Sequence, residues 1–160
     1  MPETDMTDPY TTPHSNVSDQ LEDVVYVGFW QRAAAHIIDS LIIVAITLPL
    51  LIAIYGKEYF LGASLIHGFA DILINYILPA IAVILFWYYK SATPGKMAIG
   101  AIIVDAKTFG KPSTAQLIGR YFAYFVSMLP LFLGFIWVAF DPRKQGWHDK
   151  LAGTVVIHKR

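Results

Sequence analysis

The stretch Gly28-Phe29-Trp30-Gln31-Arg32-Ala33-Ala34-Ala35-His36-Ile37-Ile38-Asp39-Ser40-Leu41-Ile42-Ile43-Val44-Ala45-Ile46-Thr47-Leu48-Pro49-Leu50-Leu51-Ile52-Ala53-Ile54 decides the fold. Its centre, Ile37 to Ile54, is nearly all apolar. At a rise of ~1.5 Å per residue it can cross a ~30 Å hydrocarbon core. Phe29 and Trp30 flank it on one side, Tyr55 and Tyr59 on the other, where amphipathic rings favour the headgroup zone. Residues 28–54 therefore read as a membrane span.

Two further apolar stretches follow. Residues 72–89 form a second span that ends in Trp87-Tyr88-Tyr89 and Lys90, and Pro79 inside it predicts a kink. The lead-in from Leu61 is half polar and fits an interfacial or cavity-lining segment. Residues 117–140 form a third apolar stretch, interrupted by Pro130 and Gly134. Between the second and third, Ala98 to Asp105 and Thr108 to Pro112 suggest a small extended or hairpin element at the membrane surface. The fold expected is an all-α membrane protein, a small helical bundle of about three transmembrane segments with a cytoplasmic loop and a basic C-terminal tail.

Composition agrees with a membrane protein. Hydrophobic residues make up 56% of the 160, charged residues only 15%, and the mean hydropathy is +0.50; a soluble domain carries about a quarter charged residues. The length allows one domain. Net charge is zero, which gives no argument for nucleic acid, and the absence of cysteine excludes disulfides and thiol chemistry. Residues 1–25 are acidic and proline-broken, without Lys or Arg, and read as a disordered tail rather than a cleaved signal peptide. Residues 26–160 form the membrane domain.

Orientation follows from Lys and Arg in short loops. Lys57 is the basic residue between the first two spans, whereas the loop from Lys90 to Arg120 is rich in them. That loop, and with it the N-terminus, is expected in the cytoplasm. A straight third crossing would then put Arg143, Lys144, Lys150, Lys159 and Arg160 outside, against the rule. A re-entrant hairpin breaking near Leu129-Pro130 would return them inside. Both topologies stand at this point.

Charges inside spans are costly, at least ~2.5 kcal/mol for an aspartate by insertion scales, so each should have a partner. Arg32, His36 and Asp39 fall within roughly 60° of one another on one helical face, with Asp39 ~10 Å beyond Arg32. His36 lies between them, and Arg120 is a candidate partner from the third segment. The set reads as a transport site or as a structural clamp orienting helices. His67, Asp71 and Asn75 repeat at i+4 and form a second polar stripe, either a proton relay or a wet interfacial face. Gly119, Ala123 and Ser127 give a small-residue packing stripe. Thr93-Pro94-Gly95-Lys96 lacks the first glycine of a phosphate loop, and no nucleophile or metal-ligand set is apparent. An enzyme, a cofactor and a bound metal are not expected.

Three motifs carry a resemblance. Gly28-Phe29-Trp30-Gln31-Arg32 leading to Asp39-Ser40, then Thr93-Pro94-Gly95-Lys96 with Gly100 and Val104-Asp105, then Asp141-Pro142-Arg143-Lys144-Gln145-Gly146-Trp147-His148-Asp149-Lys150-Leu151-Ala152-Gly153-Thr154-Val155-Val156 resemble, in order, the RDD family of bacterial membrane proteins. The family is named for an arginine and two aspartates. The resemblance implies Arg32 and Asp39 for the first two, and Asp149 or Asp141 for the last. It implies transport of ions or small ligands, including cation–proton exchange, and a bacterial inner-membrane location. On that reading Asp39 is the exchanging carboxylate for protons and monovalent cations, Arg32 and His36 tune it, and Asp149 is a gate or tether. So few crossings would then require a homo-oligomer. The alternative is a non-transporting module that binds a partner protein or anionic lipid through its basic loop and tail.

Overall fold

The structure is a computed structural model that describes residues 24–60 and 68–159. Residues 1–23 of the expected disordered tail, and His67, lie outside the described residues.

Helix α1, Phe29–Tyr55, is 27 residues long. It starts where the Gly28 N–H donates to Gln31 Oε1 at 3.2 Å. It stops at Gly56, whose φ of 68° suits a residue without a Cβ and whose N–H closes on the Ile52 carbonyl. Along α1 only Arg32, Ala35 and Leu51 are buried, so its remaining apolar surface faces outward, as hydrocarbon requires. Helix α2, Phe69–Lys90, is the second span. A π-helical turn at Leu73–Ile77, with the Leu78 N–H reaching back to the Leu73 carbonyl, lies just before Pro79. The wider turn gives the ring room where an α-turn would clash with it, so the proline expected to kink the helix follows a π-turn within one continuous span.

The segment after α2 folds against its end. Short helix α3, Pro94–Ala98, is followed by strand β1, Ala101–Asp105. An extended element here was expected, but a local hairpin does not form. Strand β1 pairs antiparallel with β2, Thr154–His158, in the register Ala101↔His158 to Asp105↔Thr154. Local alternation could not reveal a partner so far along the chain. Residues 106–110 instead turn back on Asp105, whose N–H meets the Gly110 carbonyl at 2.9 Å.

Helix α4, Thr114–Met128, is capped by Ser113 and Gln116, each side chain accepting from the other's backbone N–H. It breaks at Leu129-Pro130-Leu131-Phe132, where Leu131 and Phe132 hold φ of 50° and 61°. Helix α5, Leu133–Ile136, continues as a 3₁₀ turn to Ala139, and the axis bends by 112° across the break. Gly134 lets the returning chain touch α4, because a Cβ there would lie 2.5 Å from Ser127 Cα. Helix α6, Trp147–Ala152, then lies against α4, its His148 N–H donating to Ser127 Oγ at 3.0 Å.

These contacts decide between the two topologies. The chain leaves β1 for α4 and comes back to pair β2 with β1. The Gln116 amide donates to Asp105 Oδ2 at 2.6 Å and to the Gly153 carbonyl at 3.1 Å, so both flanks of the third segment lie together. The Val27 N–H donates to the Val156 carbonyl at 3.1 Å, and the Ile103 N–H to the Ser91 carbonyl at 2.6 Å. The start of α1, the end of α2, the start of α4 and β2 thus share one end of the molecule. A ~30 Å slab cannot separate residues that share a ladder. The straight crossing over 117–140 is therefore corrected to a re-entrant segment, broken where Pro130 interrupts the helix. A core of Val27, Trp87, Ala101, Ile103, Leu117 and Val156 binds this end together.

A buried charged centre and an adjoining cavity

Arg32 sits in the first turns of α1 and is 5% exposed. Its Nη1 donates to Asp149 Oδ2 at 2.5 Å, Nη2 to the Lys144 carbonyl at 2.5 Å, and Nε to the Val27 carbonyl at 3.0 Å. Asp149, fully buried at the start of α6, also accepts the Gly146 N–H at 2.9 Å and forms an ion pair through Oδ1 with Arg120. Arg120 Nη1 further donates to Thr154 Oγ1 at 2.6 Å. Burial pushes the Asp149 carboxyl up, but the Arg120 and Arg32 guanidiniums outweigh it and hold the group well below the usual carboxylate range. One carboxylate thus ties α1, α4 and α6 together.

Asp39 lies on the same face of α1 but serves another partner. Its Oδ2 accepts from Thr93 Oγ1 at 2.6 Å and its Oδ1 from the Gly95 N–H at 2.6 Å, so it anchors α3 to α1. Gly95 is required there, since a Cβ would come within 2.0 Å of the Ala35 carbonyl oxygen. Arg120, the candidate partner for Asp39, is engaged with Asp149 instead. His36 stands edge-on to Tyr124, ring centroids 6.4 Å apart. Of the two candidates for the last family aspartate, Asp149 meets Arg32. Asp141 pairs with Lys150 and accepts the Arg143 and Gln145 N–H groups, each at 3.1 Å, shaping the 141–146 turn.

Asp71 and Asn75 come together near the other end of α1. Asp71 Oδ1 accepts from Tyr59 at 2.8 Å and from Asn75 Nδ2 at 2.5 Å, and the Asp71 N–H donates to the Tyr55 hydroxyl at 3.1 Å. This network ties the far ends of α1 and α2 and lies ~35 Å along α1 from Arg32.

Several residues at the charged centre carry no sequence signal for a site, Lys96 standing there only as the end of the Thr93-Pro94-Gly95-Lys96 motif. Lys96 is 1% exposed, and its Nζ has no hydrogen-bond partner among the described residues. It stands 5.6 Å from the Trp87 ring centroid, and the Arg120 guanidinium stands 5.5 Å from the same ring. Burial, with Arg120 and Arg32 adding repulsion, holds the Lys96 ammonium below its ordinary value. A cavity of about 310 Å³ opens beside these groups, lined by Arg32, His36, Lys96, Arg120, Tyr124 and His148 together with Phe29, Met128, Phe132 and Phe135, and its open surface is almost wholly apolar. A second, of about 270 Å³, shares His36, Lys96, Tyr124 and Met128 with it and reaches Asp39 and Trp87. In the sequence Lys96 differs from Lys90, Lys107 and Lys111 only by ending the Thr93-Pro94-Gly95-Lys96 motif, and its burial is decided by packing.

Ser127, His148 and Asp149 also meet, with Ser127 Oγ 3.3 Å from His148 Nδ1 and His148 Nε2 3.7 Å from Asp149 Oδ2. A hydrolytic triad needs a reachable hydroxyl and a carboxylate free to orient the imidazole. Here Ser127 is fully buried, donates to the Ala123 carbonyl at 3.1 Å and accepts the His148 N–H. Asp149 is committed to two arginines. The arrangement is helix packing.

Two long apolar helices and a returning third segment, closed at one end by a buried carboxylate between two arginines, define a small multi-pass membrane protein. The chain belongs to the RDD family, whose sequence model matches residues 26–153. It is similar to the uncharacterized protein YxaI of Bacillus subtilis (strain 168), 32% identical, covering 82% of this chain and 97% of that protein. It is also similar to the uncharacterized membrane protein YteJ of the same organism, 28% identical, over 84% of this chain and 82% of the relative. The uncharacterized protein RP437 of Rickettsia prowazekii (strain Madrid E) is 45% identical over 46% of this chain and 40% of its own length. No solved structure matches the chain.

Proposed function

We propose that this protein is a membrane module that holds an anionic headgroup in the cavity beside Lys96, at the cytoplasmic face. The observation that carries this reading is the Lys96 ammonium, buried without a hydrogen-bond partner among the described residues, on a side chain that lines that cavity. Arg32, Lys96 and Arg120 border it, and Asp149 is the carboxylate that both arginines share. A buried charge without a counter-ion costs several kcal/mol, and a bound anion would relieve it. Lys107, Lys111, Arg143 and Lys159 belong to the same end of the molecule, which supports a cytoplasmic placement and attraction to anionic lipid.

Cation–proton exchange through Asp39 has less support. Both Asp39 oxygens are engaged at 2.6 Å. A cation arriving near it would meet Lys96 and the arginines. The headgroup reading also needs no second copy to complete its site.

The test titrates purified protein in an uncharged detergent with short-chain phosphatidylglycerol and with short-chain phosphatidylcholine. Preferential binding of the anionic lipid, lost in Lys96→Met, is the expected result. Equal binding of both lipids would sink the reading. In liposomes, a Na⁺-, Li⁺- or K⁺-driven pH change abolished by Asp39→Asn would instead establish exchange.

A further inference from the structure

The polar atoms without a hydrogen bond around the cavities are mostly donors. Besides Lys96 Nζ, they include Nε and Nη2 of Arg120, the Trp87 Nε1, the Tyr124 hydroxyl beside Arg120, and Asp149 Oδ1, which is ion-paired with Arg120. Apart from that carboxylate oxygen all are donors, and only the hydroxyl can also accept. Arg120 spends Nη1 on Asp149 and Thr154. Its remaining Nε–Nη2 edge is the planar fork that grips two oxygens of one anion. A lysine ammonium beside such a fork, with further donors close by, suits a ligand that presents several acceptor oxygens at one centre. A phosphate monoester offers three terminal oxygens, whereas a carboxylate offers two.

The other wall is apolar. Phe29, Met128 and Phe132 line the first cavity, and Met128 and Phe132 are about half exposed on the outward surface of the third segment. The break at Leu129–Phe132 turns α5 away from the line of α4 by 112°, and the outward surface that Met128 and Phe132 present there is apolar. A polar ligand alone would leave that wall unfilled, while an alkyl chain would cover it.

Building on the headgroup reading, we propose that the cavity is a site for a phosphomonoester amphiphile. Its phosphate lies between Lys96 Nζ and the Nε–Nη2 edge of Arg120, which are closed off in the empty protein and turn to the cavity on binding, and its chain leaves past Phe29, Met128 and Phe132 into the bilayer. No bond is made or broken. Binding brings together one anion, two cationic side chains and an apolar tail.

Isothermal titration of the purified full chain in an uncharged maltoside detergent tests this with decyl phosphate, decanoate and inorganic phosphate. Decyl phosphate is expected to bind at least about tenfold more tightly than either of the others, with that advantage falling to less than about threefold in Lys96→Met. Inorganic phosphate binding as tightly as decyl phosphate would overturn the amphiphile and leave a phosphate site. Decanoate matching decyl phosphate would overturn the phosphate preference while leaving the anionic headgroup reading intact. Failure of all three to bind wild type would overturn both. The wild-type series decides the proposal even if Lys96→Met fails to fold, and a melting curve of the variant establishes whether it does.

Discussion

Asp149 has two guanidiniums within ion-pair distance and no contact with water, so the cost of changing it falls on groups that cannot find another partner. Arg32→Ala or Arg120→Ala removes one partner of a buried charge and is expected to destabilise the protein by ~3–5 kcal/mol. Chemical unfolding in detergent, followed by tryptophan fluorescence, measures it; a loss under ~1 kcal/mol would show that water replaces the missing arginine. Gly95→Ala should be disruptive despite its single added carbon, because the nearest atom is the Ala35 backbone oxygen rather than a flexible side-chain end. Asp39→Asn keeps an acceptor for one of the two donors it anchors and should be the milder change. At Lys96 the sign with pH is set by burial, with Arg32 and His36 facing it from α1, Trp87 from α2, Arg120 and Tyr124 from α4, and His148 and Asp149 from α6. A depressed lysine value means that the empty folded protein binds fewer protons than the unfolded chain between that value and the ordinary 10.5, so stability rises with pH across that window. An anion needs the charged form, so its affinity should fall as pH rises through the lysine's titration. Titrations of decyl phosphate at a series of pH values check this, and a flat profile in wild type would remove Lys96 from the site.

Among the elements, the β1–β2 ladder is pinned by the turn that follows β1. Asp105 accepts from Gln116 at 2.6 Å, from the Lys107 and Thr108 N–H groups at 2.8 Å each, and from the Thr108 hydroxyl at 3.2 Å. Those bonds, the Gln116 one first, favour the carboxylate and lower its pKa from 3.8 to about 2. A depressed carboxylate stabilises the fold fully above the ordinary value and loses that contribution as pH falls through the folded value. Amide exchange at Lys107 and Thr108 is therefore expected to accelerate, relative to the core of the ladder, as pH is lowered from about 4 toward about 2 after correction for intrinsic rates. Asp105→Asn should produce the same loosening at neutral pH. The break after α4 is the other telling element. Pro130 was visible as an interruption, but the 112° turn also uses Leu131 and Phe132 in left-handed backbone, a choice no side-chain pattern announces. Such strain persists where packing over-determines it, here through the Gly134–Ser127 contact.

For the whole molecule, the shared end makes a topological prediction. The chain contains no cysteine, so single-cysteine variants give clean labelling. In oriented vesicles, Lys107→Cys and Lys159→Cys should react with an impermeant maleimide from one side, and Lys57→Cys from the other. Lys159→Cys reacting together with Lys57→Cys would restore the straight third crossing. The exposed apolar surface of α1 leaves ample room for lipid contact.

Hydropathy and helix period are local quantities, and they suffice for what depends on neighbours in sequence. From them came the spans at α1 and α2, the break at Pro130, the extended stretch near Ala101 and the common face of Arg32, His36 and Asp39. Positive charge in short loops also exposed the conflict that a straight third crossing would create. Partner choice is different in kind. Arg32 and Asp149 are 117 residues apart, and spacing along α1 grouped Arg32 with His36 and Asp39 on one face, with Arg120 as the candidate partner, whereas Arg32 and Asp39 each reach another element. The β1–β2 register, the burial of one lysine among several like it, and the cavity bordered by Lys96 and Arg120 likewise arise only when separate segments close on one another. A buried charge is assigned by which opposite charge the whole chain can bring to it, and only the tertiary structure decides that.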